Sequence, residues 1–153
     1  MQVVDLKLQN RLKYQILADF KHFLLTFMEL AQLMYAGDLE QIKRLIQERP
    51  DIVNKPDERG FTPLVMATYL NKIAIAELLL EHGADINAQD ASGNTALMGV
   101  AFKGYADIAQ MLINRGADTS VVNNAGETAM DFAITHQQSE IQRILKGAIA
   151  ISK

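Results

Sequence analysis

Three histidines and a spaced pair of aspartates are the side chains of this 153-residue chain best suited to chemistry. His22, His82 and His136 lie in different segments. A metal site needs ligands at matched spacing, so these read as separate surface histidines. His82 directly precedes Gly83 near a helix C-terminus, where the helix dipole favours a partly cationic ring. Asp57 and Asp90 are paired carboxylates of the kind that do acid–base work. They stand 33 residues apart (90−57), however, with Asn123 another 33 further on (123−90). That regularity assigns each of them to the shaping of its own turn. The chain contains no Gly-x-Ser-x-Gly, no glycine-rich phosphate loop ending in Lys-Ser or Lys-Thr, and no His-Glu-x-x-His. It has no cysteine, which excludes disulfides and thiol catalysis but does not fix the compartment. The expectation is a protein that is not an enzyme and that takes no metal, nucleotide or other cofactor.

The elements that would position such residues repeat. In Gly60 to Asp90, Thr62-Pro63-Leu64 is a turn into a helix: threonine caps, and proline fits the first helical position. Ala67 is small, so another helix can lie close. Ile73 to Leu80 reads as a second helix with Ile75, Leu78 and Leu79 on one face. Gly83 ends it as a left-handed residue would. The unit then returns: Gly60, Gly93 and Gly126 are 33 apart (93−60, 126−93), as are Thr62, Thr95 and Thr128. Leu64, Leu97 and Met130, then Ile75, Ile108 and Ile141, then Leu79, Leu112 and Leu145, keep the same step, and Gly83-Ala84-Asp85 recurs as Gly116-Ala117-Asp118.

A helix–turn–helix with a hairpin at this period resembles the ankyrin repeat. The most specific segments are Gly60-Phe61-Thr62-Pro63-Leu64 and Gly83-Ala84-Asp85-Ile86-Asn87. The resemblance implies an all-α solenoid of stacked helix-turn-helix units with short β-hairpin-like loops. Four repeats are expected, about residues 26–56, 57–89, 90–122 and 123–146, within a domain of 26–153. The first is degenerate: Arg49-Pro50-Asp51-Ile52-Val53-Asn54 replaces the Gly-Ala-Asp-Ile-Asn loop with one residue more. The fourth has Gln137 between its helices in place of glycine, and the tail from Lys146 reads as a frayed helix end. Atypical end repeats are expected, since one flank faces water. The family's histidine after Pro-Leu is Val65, Met98 and Asp131 here, and Pro63 gives way to Ala96 and Ala129. These departures are expected to weaken turn hydrogen bonding without changing the fold.

Ahead of the repeats, Leu12, Ile16, Phe20, Phe23, Phe27, Leu30 and Met34 make an amphipathic helical stripe. Thr26-Phe27-Met28-Glu29 fits a capping box, which divides the stripe in two. Residues 1–25 then form an extension whose helix, about 10–24, caps the first repeat's open flank. The other reading is a structural or accessory protein that uses this helix to form a homodimer or to touch a membrane. Asp19, Lys21 and Glu29 interrupt any long apolar run, which argues against a signal peptide and a membrane span. With 49% hydrophobic residues and a net charge of −3, the chain is expected to be ordered and to bind neither nucleic acid nor membrane. A cytoplasmic monomer is expected, with export from a bacterial cell as the alternative.

Proteins resembling ankyrin repeats are binding modules, so the resemblance implies a partner protein held in a concave groove by hairpin tips and inner helices. Such a module would serve as an adaptor or as an enzyme inhibitor. In the family, the two residues that close the inner helix open onto that groove. Here the first of these reads Tyr35, Tyr69, Phe102 and Thr135, an aromatic row across three repeats, and the second includes Leu70, Lys103 and His136. Phe61 adds a large apolar side chain at a hairpin position whose equivalents are Asn94 and Glu127. Glu58, Arg59, Asn94, Lys103 and Glu127 would form a polar rim. Aromatic rows at water-facing positions are the usual stuff of binding hot spots.

Overall fold

Residues 2–36 contain neither glycine nor proline, and they form one helix, α1 (Gln2–Ala36). The computed structural model describes the backbone of residues 2–151, and the side chains of these except 2–7, 20 and 22–25. The expected break at Thr26 does not occur. Thr26 lies within the helix, only 6% exposed, and its hydroxyl accepts from Arg49 Nη1 at 3.2 Å. The helix stops where a residue able to stop it appears, at Gly37 (φ +75).

Then come α2 (Leu39–Glu48), a 3₁₀ turn (Pro50–Asn54), α3 (Pro63–Tyr69), α4 (Ile73–Glu81), α5 (Ala96–Lys103), α6 (Ala106–Asn114), α7 (Ala129–Thr135) and α8 (Ser139–Ile151). The described residues contain no strand. Asp38 caps α2 by accepting from Gln41 N–H. Helices α3, α5 and α7 pack in sequence as an inner row, and α2 on α4 and α6 on α8 belong to an outer one. The core runs through all repeats as matching columns: Leu64 with Leu97, Ile75 with Ile108 and Ile141, and Leu79 with Leu112 and Leu145 are each no more than 1–2% exposed. No single repeat could bury these side chains alone.

Turn chemistry repeats with the same fidelity. Thr62, Thr95 and Thr128 each cap an inner helix by accepting from the N–H three residues on, of Val65, Met98 and Asp131. Weakening of the turn, expected from the loss of the family's histidine, does not hold in the fourth repeat. There Asp131 Oδ2 accepts from Thr128 N–H at 2.8 Å and from its hydroxyl at 2.6 Å. The Thr128 hydroxyl, followed by the backbone N–H, holds the Asp131 carboxyl below its ordinary pKa. The left-handed position between the paired helices is filled by Gly37, Asn71 (φ 57), Gly104 and Gln137 (φ 57), so the glycine missing from the fourth repeat is replaced without a change of backbone. Helix α8 continues to Ile151, past the expected fraying at Lys146.

The beginning of α1 differs from expectation too. Leu12 (54%) and Ile16 (65%) are exposed, so this stretch of the helix does not cover the first repeat's flank. The side chains of Phe20 and Phe23, placed on the same stripe, lie outside the described residues. The C-terminal part of α1 acts instead as the inner helix of the first repeat, burying Leu30 and Met34 against α2.

Candidate functional site

The carboxylates that might have been catalytic are occupied by their own turns. Asp57 Oδ1 accepts from the N–H groups of Arg59 (2.9 Å) and Phe61 (2.8 Å). Asp90 Oδ1 does the same for Ser92 and Asn94, and Asn123 Oδ1 for Ala125 and Glu127. Each turn closes through a second bond, such as Gly60 N–H to Asp57 O at 3.0 Å. Successive turns also bond to one another: Ala91 N–H donates to Arg59 O at 3.1 Å, and Asn124 N–H to Ser92 O at 3.0 Å. The tips therefore form a fixed row. His82 Nδ1 lies 2.8 Å from its own helix's Leu78 O, and His136 sits against phenylalanine rings. Among the described residues, no three His, Asp or Glu side chains gather closely enough to hold a metal. Likewise, no helix among them is long and apolar enough to cross a membrane.

What the stack does create is a surface of aromatic rings beside those tips. Tyr35 (67% exposed), Tyr69 (51%) and Phe102 (43%) stand at the ends of α1, α3 and α5. Tyr69 and Phe102 are each met by the neighbouring repeat. Lys103 Nζ lies 4.4 Å from the centroid of the Tyr69 ring, and the His136 ring meets Phe102 edge-on at 4.4 Å. Both contacts join residues 34 apart (103−69, 136−102), so the second of the two residues closing an inner helix meets the ring of the preceding repeat.

Between α1 and α3 a cavity of about 390 Å³ opens, lined by Ala31, Tyr35, Arg59, Phe61, Val65, Met66, Tyr69 and Leu70. It thus gathers Tyr35, Arg59, Phe61, Tyr69 and Leu70 from the residues singled out by sequence. Phe102, Lys103 and His136 continue the surface along the stack. Asn94 and Glu127 are tied together by Asn123, whose Nδ2 donates to both side chains at 2.9 and 3.1 Å. Glu58 stands exposed at a tip outside the cavity. Sequence reasoning missed Ala31, Val65 and Met66 as walls. The signal for Val65 was present: an apolar residue replaces the family's histidine there. A larger, more open hollow of about 790 Å³ lies between the 116–120 loop and the end of α8, and it contains none of these residues.

Comparison with known proteins agrees with this architecture. A family model described as ankyrin repeats (many copies) matches residues 65–113. Ankyrin repeats are thus present in this chain. It is 48% identical over 54 residues to human DNA-binding protein RFXANK, covering 35% of this chain and 21% of that protein. It is 41% identical over 54 residues to human Ankyrin repeat family A protein 2, covering 35% and 17%. Similarity also extends to BTB/POZ domain-containing protein 3 of Schizosaccharomyces pombe, at 34% over 58 residues, 38% of this chain and 11% of that protein. The matched stretch thus spans a quarter or less of these curated relatives. Ankyrin repeats make this a protein–protein interaction module.

Proposed function

We propose that this ankyrin-repeat protein is non-catalytic and binds a segment of a partner protein in its concave groove, acting as an adaptor or as an inhibitor of an enzyme. Tyr35, Tyr69 and Phe102 anchor the partner, Phe61 and Leu70 line the anchoring cavity, and Glu58, Arg59, Asn94, Lys103 and Glu127 form the rim, with His136 at its far end. One observation carries the reading: half-exposed aromatic rings from three repeats share a surface with an apolar cavity of about 390 Å³, a size within the range of sites that accept a ligand group. Rings of this kind supply large contact area at low entropic cost. The name of RFXANK refers to DNA binding, yet this chain carries a net charge of −3, which favours a protein partner over a phosphate backbone.

A photo-crosslinking residue tests the surface directly. With p-benzoylphenylalanine in place of Tyr69, irradiation in the native host should yield a discrete adduct. The same residue in place of Gln110, exposed on the outer helix α6, should not. Adducts from Gln110 alone would move the binding surface to the other face and refute the reading.

A further inference from the structure

Helix α1 extends well beyond the helix it packs on. Leu30 and Met34, 2% and 0% exposed, face the stack. Leu12 and Ile16 precede them by 18 residues each (30−12, 34−16), which is five whole turns at 3.6 residues per turn. They therefore point in the same direction as the buried pair, but with no stack beneath them. Leu8 lies one turn earlier on the same ridge, and it is 57% exposed. The face that forms the core at one end of α1 thus continues past the body of the protein as an uncovered apolar stripe. Such a stripe on a helix is a packing surface.

The ridge beside it indicates what packs there. Arg11, Gln15 and Asp19 follow one another at steps of four, with Gln15 Nε2 donating to Asp19 Oδ1 at 3.2 Å. Among the described residues, neither Arg11 nor Asp19 forms an ion pair within the chain. A cation and a carboxylate placed symmetrically about a neutral amide are self-complementary under one arrangement only. With a two-fold axis at Gln15, an antiparallel second copy brings each Arg11 to the other's Asp19, and the amides meet at the axis. A parallel copy would oppose like charges, which is unfavourable. Each copy then covers the other's Leu12 and Ile16, as an isologous interface requires.

We propose that two copies of this chain associate through residues 11–19 of α1, antiparallel about Gln15, with Leu12 and Ile16 buried between them and Arg11 paired across the axis with Asp19.

Sedimentation equilibrium of the full chain tests this. The wild type should sediment as a dimer, and Leu12→Glu/Ile16→Glu as a monomer with an intact helical spectrum and a cooperative melt. Arg11→Asp and Asp19→Arg should each weaken association about tenfold, and the two combined should restore it. A wild type that stays monomeric at its highest soluble concentration would overturn the proposal. So would a dimer that survives Leu12→Glu/Ile16→Glu, since another surface would then hold it. Failure of the combined charge exchange to restore association would refute the antiparallel pairing. Cosedimentation of a monomeric wild type with phosphatidylserine vesicles, lost in Leu12→Glu/Ile16→Glu, would assign the stripe to a membrane surface instead.

Discussion

Gly93 and Gly126 share a backbone conformation and differ in what surrounds them. Both lie in the left-handed region, at φ +80 and +78. A Cβ on Gly93 would meet Asn124 N at 2.8 Å, because the next turn stacks directly on it, whereas a Cβ on Gly126 would meet nothing within 4 Å. Gly60 resembles Gly93, with Ala91 N at 2.8 Å. Alanine at either Gly93 or Gly126 incurs the left-handed cost of roughly 1–2 kcal/mol. Gly93→Ala should lose roughly a further 1–3 kcal/mol, because the clash is with backbone and the loop must shift. Urea denaturation of the two variants checks this, and equal losses would mean that the turns do not bear on one another. The 33-residue column of glycines was legible in sequence, as were the Asp57, Asp90 and Asn123 turns, because each needs a specific backbone or acceptor at a fixed offset. The role of Asp131 was not. An aspartate in place of the family's histidine looked like a loss, and only the reciprocal bonds with Thr128 show that it replaces the missing contact.

At the scale of elements, local signals located the helices and misjudged the extent of α1 and of α8. Thr26 with Glu29 has the residue types of a cap, but a cap needs the preceding chain to leave the helix, and no glycine or proline makes it do so. The stripe from Leu12 to Met34 correctly gave a helix face. It did not say where the neighbour under that face ends, since α2 is only ten residues long and pairs with the C-terminal part of α1. This geometry changes what substitution there should do. Side chains already in water contribute little burial, so replacing the exposed Leu8, Leu12 and Ile16 together with glutamine should leave the stability of the dilute protein within about 1 kcal/mol of the wild type. A loss of several kcal/mol in dilute urea titrations would mean that this part of α1 covers the stack after all. Along the aromatic surface, the repeat spacing supplied the ring positions one by one. It did not reveal that Lys103 lies over Tyr69 and His136 against Phe102, because those contacts depend on the offset between adjacent repeats.

Across the whole molecule, each repeat touches its neighbours, so the stack is held by interfaces between adjacent units. Large side chains that face inward recur in register and are buried, while Tyr35, Tyr69 and Phe102 recur in register and stay exposed. Repetition without burial across three repeats is what the proposed contact surface, and not a core, should show. Tyr69 and Phe102 can therefore be removed together with little loss of packing: each is near half-exposed, and the Lys103–Tyr69 contact is of the exposed kind, worth roughly 0.5–1 kcal/mol. The direct measurement is the affinity of Tyr69→Ala/Phe102→Ala for the partner that copurifies with the tagged wild type, taken alongside the variant's thermal melt. Affinity should fall by about 2 kcal/mol or more, roughly thirtyfold, with the melt nearly unchanged. A variant that unfolds while its folded fraction binds with wild-type affinity would make the aromatic row part of the core, and would contradict the groove.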